Sequence, residues 1–497
     1  MSTDDLTVPQ HAADGDAHGD DARLRELGYR PQLRRALGLF GNMSVGFTYL
    51  SPVVGVYALF ALLLPVGGPA ALFWSIPFVA AGQLLVALTF GEVASHYPVA
   101  GGIYQWARRL VGRNYGWLAA WVYLCALMAT ISSVAVLANA FFAALFEYEA
   151  TTTSTFLLAV SLLVLGGVIN LMGPRALGRV ALAGFWAEVV GSVVLGAYLL
   201  LFHNRAGLGV VLDTTHLDGD AVVTGFTVST FLGALLFSMW IFYGFEACGD
   251  IAEEVRDASR RVPRAMLLTI GVAVGSVVLV TLGFLVGIED YPALLASGED
   301  PISVVLASAF GGSEVLTKIV YAMICVAFVS CVLAIQAATS RLLFSLARDR
   351  VLPAGRVLAG VNRHGVPVAA IVATTATPAV VAAVDSFVTE GRMVYFAIAG
   401  MYVAFQCVVL GALVARLRGW RPAGRFSLGP AGVLVNVVAL AYGIFGIWVL
   451  STRGGAFDEA GGFVDRNLVV LSLLLVVGFG LAYLALRRPT RHLAETE

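Results

Sequence analysis

FLGALLFSMWIFYGFEACGDIAEEVRDASRRVPR, residues 231–264, decides how the whole chain is read. It starts as an apolar run of the kind that crosses a membrane. Between Phe242 and Gly249 the run takes in two glycines, at 244 and 249, and the carboxylate of Glu246; from Asp250 to Arg264 it turns charged. A carboxylate at membrane depth is costly and marks a functional site by default. Glycine lets the backbone unwind and come close to a ligand. Irregular backbone at that depth persists only inside protein or beside a wet cavity. The stretch therefore reads as a broken helix lining a solute site. The plainer alternative is a packing glycine with Glu246 near the membrane interface.

Composition supports a membrane setting. Of 497 residues, 59% are hydrophobic and 13% charged, against about 25% charged in soluble domains. The net charge of -1 is uninformative. Lys318 is the one lysine; arginine carries the rest of the positive charge. Cys125, Cys248, Cys325, Cys331 and Cys407 lie in apolar runs without a CxxC pair. They read as small core residues, not as a disulfide framework or a zinc site.

The segment 1–22 is polar and reads as a disordered cytoplasmic tail; its His11 and His18 are read as incidental. It is acidic, unlike the start of a signal peptide. Residues 23–37 interleave arginine with Leu24, Leu27, Leu33 and Leu37, the pattern of an amphipathic helix on the inner membrane surface. A span needs about 20 apolar residues. Twelve such runs are predicted, near 38–64, 70–94, 115–146, 154–173, 180–202, 224–249, 265–288, 315–345, 367–385, 392–415, 430–451 and 467–487. The shorter run 302–310 reads as a small helix capping an outer vestibule. Residues 38–415 form the predicted transport core, 416–487 two accessory spans and 488–497 a cytoplasmic tail.

Charge alternates between the connections. One set carries Arg108, Arg109 and Arg113; Arg175 and Arg179; Arg256, Arg260, Arg261 and Arg264; Arg348, Arg350, Arg356 and Arg363; Arg416, Arg418, Arg421 and Arg425. The other carries Glu147 and Glu149; Asp213, Asp218 and Asp220; Glu289, Asp290, Glu299 and Asp300; Glu390; Asp458 and Glu459. Cytoplasmic loops are enriched in arginine, so both termini are predicted inside a cytoplasmic (plasma) membrane.

The first run is also interrupted, by NMSVGFTYLSP at 42–52, where proline removes a donor and disrupts the preceding turn. Two interrupted helices at matching places in two five-span halves point to the binding site of an inverted-repeat transporter. Free N–H groups at the half-helix N-termini would suit an anionic group such as a carboxylate.

Four stretches carry a family resemblance: VGFTYLSPVVGVYALF at 45–60, FGEVASHYPVAGGIYQW at 90–106, YGFEACGDIAEEVRDASRRVPR at 243–264 and SRLLFSLARDRVLP at 340–353. In this order the chain resembles an amino acid permease of the amino acid–polyamine–organocation superfamily, nearest the branch of GABA and choline permeases. The resemblance covers nearly everything after Arg34. It implies an all-α integral membrane protein with the leucine-transporter-type 5+5 inverted repeat, twelve transmembrane helices, helices 1 and 6 broken, and alternating access. It also implies solute contacts on Ser44, Gly46, Phe47 and Thr48 and on Phe242, Tyr243, Gly244 and Glu246.

Further residues stand out. Glu188 lies mid-span, where many superfamily members carry a lysine linked to proton coupling; the glutamate puts that lysine mechanism in doubt. A buried glutamate can carry the coupled proton, pair with a substrate amine, or sit neutral and hydrogen-bonded between helices. Glu92, Glu253, Glu254, Arg341 and Asp349 are candidates for a cytoplasmic gate, with a solvated ion network as the alternative. The eighth span lacks a well-placed hydroxyl pair for sodium, which favours protons or exchange, although backbone carbonyls remain available to sodium.

The reading is a secondary transporter of an amino acid or related small amine, with choline, ethanolamine, GABA or polyamine as alternatives. The rival classes are a membrane-embedded enzyme and a non-transporting sensor. No HExxH, GxSxG or paired intramembrane aspartates support the enzyme, and His96, His203, His216 and His364 are too scattered for a metal site. The tails are short for a sensor. The expected partners are the solute, lipid and protons; neither a cofactor nor nucleic acid is expected. In a background without native cysteines, a cysteine at Asp218 or Glu299 should react with an impermeant thiol reagent outside intact cells. One at Arg261 should not, and its labelling from outside would reverse the orientation.

Overall fold

Where the chain should cross a membrane, a computed structural model gives helices. It describes residues 20–363, 365–389, 391–453 and 463–495. The expected tail up to residue 19, with His11 and His18, lies outside these residues, as do His364, Glu390, Asp458 and Glu459.

Helix α1 covers 20–26. Then come α2 (Leu39–Leu50), α3 (Pro52–His96), α4 (Gly102–Leu110), α5 (Arg113–Leu137), α6 (Asn139–Phe146), α7 (Thr152–Leu171), α8 (Pro174–Val189) and α9 (Leu195–Phe202). A two-stranded hairpin follows, β1 (Thr215–Asp218) antiparallel to β2 (Ala221–Thr224). The second half holds α10 (Val228–Ile241), α11 (Ala247–Asp250), α12 (Ala258–Gly287), α13 (Tyr291–Ser297), α14 (Pro301–Ala309), α15 (Glu314–Arg348) and α16 (Gly355–Leu358). It ends with α17 (Val368–Phe387), α18 (Met393–Leu417), α19 (Gly432–Arg453), α20 (Phe463–Arg466) and α21 (Leu468–Arg487). Among the described residues, ten helical stretches are long and apolar enough to cross a membrane; the shorter α10 is apolar too.

One of the ten is the 58-residue stretch Leu39–His96. It is divided twice. Ser51, at φ 47°, separates α2 from α3, and its side chain accepts from the Val54 N–H to cap the new helix. Pro52 is tolerated there because a first-turn N–H has no helical partner anyway. Gly68, at φ 70°, then folds α3 back between Pro65 and Pro69. A Cβ on Gly68 would lie 2.4 Å from the Thr215 carbonyl oxygen, so the hairpin strand β1 packs directly on that fold. The hairpin has no forecast in the sequence reading.

The outward faces of these helices are apolar. Leu157, Val164 and Val168 on α7 and Leu474, Leu475 and Phe479 on α21 are exposed, an arrangement that suits lipid. Capping is local: Thr227 and Thr230 form a reciprocal box at α10, and Asp300 accepts from Ile302 and Ser303 to start α14. That start matches the short helix expected at 302–310.

Segment 23–37 departs from expectation. Helix α1 stops at residue 26, and Leu24, Leu33 and Leu37 are buried in protein. Leu37 forms a parallel bridge with Val255, and the Ala36 and Leu37 N–H groups donate to the Glu254 carbonyl. The apolar side chains meet the helical body in preference to a membrane surface, because the 250–257 connection leaves backbone groups there to be paired.

Helices α9 and α12 cross with backbones in contact. A Cβ on Gly283 would stand 2.8 Å from the Gly196 carbonyl oxygen. Small residues permit such crossings. Gly283→Val should lower thermal stability by about 1–3 kcal/mol, the range for overpacking. Unchanged melting in detergent would contradict this contact.

Candidate functional site

The second interruption falls where residues 242–249 suggested. Helix α10 ends at Phe242, and Gly244 adopts φ 122°. A side chain there is strained by backbone conformation alone. It would also collide: a Cβ on Gly244 would lie 2.7 Å from the Leu50 nitrogen and 2.8 Å from its Cα. The two interrupted segments therefore touch at Gly244 and Leu50. Glu246 turns back on the unwound stretch, its Oε2 accepting from the Gly244 N–H at 2.8 Å.

Glu246 has a carboxylate neighbour at the start of the charged stretch 250–264. Asp250 is fully buried on α11, one turn later. The Tyr123 hydroxyl of α5 donates to Asp250 Oδ2 at 2.6 Å and lies 3.4 Å from Glu246 Oε1. The Tyr49 hydroxyl faces Glu246 as well. Asp250 Oδ1 has no hydrogen-bond partner. Neither carboxylate makes an ion pair among the described residues. Helical i, i+4 spacing from Glu246 is the signal that would have found Asp250.

Tyr49, which faces Glu246, also lines a small chamber together with Leu50, Val54, Thr130, Trp240 and Tyr243, with Cys331 on its α15 side. Its volume is about 10 Å³, room for about one water. Tyr243 and Thr130 hydroxyls stand 3.4 Å apart, and Trp240 and Tyr49 rings both meet Tyr243 edge-on. Of the expected contacts, Tyr243 lines the chamber; Gly244, against Leu50, and Glu246, faced by Tyr49, touch lining residues without lining it themselves. Phe242 is buried and does not line it.

The contacts expected on the first interruption fare differently. The expected break at 42–52 is confined to Ser51; residues 39–50 are one unbroken helix. Ser44, Gly46, Phe47 and Thr48 lie within that helix and none lines the chamber. Ser44 and Thr48 hydroxyls donate to the carbonyls of Phe40 and Ser44, both at 2.8 Å. Phe47 meets Phe185 edge-on at 5.0 Å. Gly46 is a packing position, since a Cβ there would lie 2.5 Å from Cys248 Sγ. Tyr49 and Leu50 instead present the chamber-facing side. Direction around the helix decides this, and linear proximity to Pro52 does not reveal it.

Glu188 is fully buried on α8. The Ser51 hydroxyl and Val53 N–H face it, yet neither carboxylate oxygen closes a hydrogen bond. Helix α8 passes at once into a π-helical turn, Val190–Val194, a rare feature frequent at functional sites. The Tyr57 hydroxyl bonds the Gly191 carbonyl in that turn at 3.2 Å. Cys331 Sγ contacts the Tyr49 carbonyl at 3.3 Å.

At the arginine-rich end, the gate candidates separate into distinct pairs. Arg341 meets Glu254 at 2.7 Å with both side chains buried. Arg348 holds Glu253 through two contacts, at 2.9 and 3.0 Å. Asp349 takes Arg108 at 2.6 Å and the Tyr104 and Tyr29 hydroxyls. Arg341 and Asp349 are not partners of each other. Glu92 is apart from this network: it pairs with Arg416 and accepts from Ser427 and the Leu428 N–H, fastening α3 to the connection after α18. Removing one partner of such a buried pair costs about 3–5 kcal/mol.

A mostly helical membrane protein with two interrupted helices meeting beside a small buried chamber and a pair of buried acids belongs to the class of solute transporters. Residues 36–479 match the family model described as amino acid permease, and the chain belongs to that family. It is an amino acid permease of the amino acid–polyamine–organocation superfamily, a transporter and not an enzyme. An amino-acid permease BAT1 homolog of Oryza sativa subsp. japonica is 27% identical over 87% of this chain and 88% of its own length. A putative amino acid/polyamine transporter of Macrophomina phaseolina is 29% identical over 77% and 87%. The thiamine transporter thi9 of Schizosaccharomyces pombe is 26% identical over 87% and 80%.

Gly244→Ala should abolish transport while the protein still inserts and purifies, because its Cβ displaces Leu50. Tyr123→Phe should weaken solute binding by about 1 kcal/mol or more, the value of a hydrogen bond to a charged group. Wild-type transport in Gly244→Ala would remove this contact from the mechanism.

Proposed function

We propose that the protein moves an amino acid or related small amine across the cytoplasmic membrane by alternating access, with both termini in the cytoplasm and twelve crossings in a 5+5 repeat plus two. The observation that carries this reading is the buried pair Glu246 and Asp250, bridged by Tyr123, faced by the chamber residue Tyr49 and without an ion pair among the described residues. Buried charge demands compensation. A substrate ammonium supplies it, forming charge-assisted hydrogen bonds that neutral solutes lack. Tyr49, Trp240 and Tyr243 add aromatic faces suited to a cation.

The second carboxylate favours a second reading, in which the solute carries two positive centres, as a diamine or polyamine does. A mono-amine would then leave Asp250 to a proton. The arginine-rich pairs Arg341–Glu254, Arg348–Glu253 and Arg108–Asp349 form the proposed inner gate, which must part for release. Glu92 holds α3 in place and stands outside it.

Glu188 carries the proposed coupling. It faces Ser51 and Val53 at the first interruption from α8. A proton gained or lost there changes the charge beside the hinge itself. Exchange against a second solute is the alternative driving mode.

A thermal-shift screen of purified protein against amino acids, choline and diamines identifies the solute, since a ligand of the folded state raises stability. Asp250→Asn should reduce the preference for a diamine over a mono-amine, and Glu246→Gln should abolish binding of both. In proteoliposomes, Glu188→Gln should lose proton-driven accumulation and keep counterflow. Weaker binding at every pH would assign Glu188 to the amine; full accumulation would remove it from both roles.

A further inference from the structure

A concave space of about 700 Å³ opens at the arginine-rich end, outside the solute site. Five arginines line it: Arg30, Arg108, Arg109, Arg348 and Arg350. Two have carboxylate partners, Arg108 with Asp349 and Arg348 with Glu253. The other three, Arg30, Arg109 and Arg350, make no ion pair among the described residues. The wall's other acid, Glu26, is engaged by Arg23.

Arg109 is the informative one. Its guanidinium donates to the Leu27 carbonyl at 2.8 Å and stacks between Tyr29 and Tyr97, at 5.8 and 5.5 Å from their centroids. Its Nε is buried without a partner. Tyr29 is held in turn by Arg348, 4.0 Å over its ring, and by Asp349. Burial, reinforced by the Asp349 carboxylate, pushes the Tyr29 phenol above its ordinary value, so it remains a hydrogen-bond donor. The walls come from far-separated parts of the chain: the N-terminal segment, α4, the end of α15, and His492, whose ring bonds the Asp349 carbonyl at 2.7 Å.

The enrichment of arginine in inner loops accounts for the presence of these side chains. It does not account for their convergence, with three unneutralised charges, on one hollow of ligand size. Arginine presents a fork of donors matched to phosphate oxygens. We propose that this hollow is a binding site for a phosphate-bearing anion, either a soluble polyphosphate or the headgroup of an anionic lipid. An occupant fastens the N-terminal segment to α4, α15 and the C-terminal segment at once, so its binding registers as thermal stabilisation.

The test uses the full chain and needs no knowledge of the transported solute. Tripolyphosphate is titrated against protein in neutral detergent, with sodium chloride at matched ionic strength as control. In parallel, melting is compared in phosphatidylcholine vesicles with and without phosphatidylglycerol. Saturable stabilisation by tripolyphosphate assigns the soluble source; stabilisation by phosphatidylglycerol alone assigns the lipid. In either case the exposed-residue variant R30Q/R350Q should weaken the effect by about tenfold or more, on the scale of a lost charge-assisted contact. R109Q, from inside the wall, should weaken it further. The proposal is overturned if neither probe stabilises the protein, if sodium chloride does as well, or if R30Q/R350Q, folded and melting normally, responds as wild type does.

Discussion

Leu50 and Gly244 bring two interrupted backbones into contact, and the rest of the structure is arranged to make that contact tolerable. Backbone N–H and C=O groups cannot be left bare at membrane depth. Here they are answered locally. Ser51 caps α3 through the Val54 N–H, Glu246 accepts from Gly244, and Cys331 reaches the Tyr49 carbonyl. Each of these closures is small. Together they let two helices stop at one level without exposing backbone to lipid.

The same part of the structure gathers carboxyl groups that no basic side chain pairs among the described residues. Glu246, Asp250 and Glu188 are all buried, and none makes an ion pair among the described residues. At the arginine-rich end the opposite holds: Glu92, Glu253, Glu254 and Asp349 each meet an arginine. Buried pairs are roughly self-sufficient, and their removal one partner at a time is what costs. Lone buried acids depend on something that arrives. That contrast is the physical basis for placing the proposed solute and proton at the interruptions and the proposed gate at the paired end.

The paired end is also where distant sequence converges. Tyr29 sits among Arg108, Arg348 and Asp349, while Leu37 bridges to Val255. The N-terminal segment is thus built into the arginine-rich end. Its leucines are buried there by protein, which explains why a pattern typical of a membrane-surface helix does not produce one.

The sequence by itself determined that the chain is a mostly helical membrane protein, that it breaks within 42–52 and within 242–249, and that it resembles amino acid permeases. The first two follow from composition, run length and glycine or proline placement, which are local properties; the last rests on the four stretches at 45–60, 90–106, 243–264 and 340–353 that resemble that family. It also singled out Glu188 and Glu246, because an acid in an apolar run is conspicuous whatever surrounds it. Tertiary structure decided the rest. It left Ser44, Gly46, Phe47 and Thr48 out of the chamber's lining, brought Tyr49, Thr130 and Trp240 into it, and joined Tyr123 to Glu246 and Asp250. It divided Glu92 from Glu253 and Glu254 by giving it Arg416. Which face of a helix meets which neighbour depends on rotation about the axis and on the partner helices. Both are set by packing between segments far apart in the chain, and neither is written in any one of them.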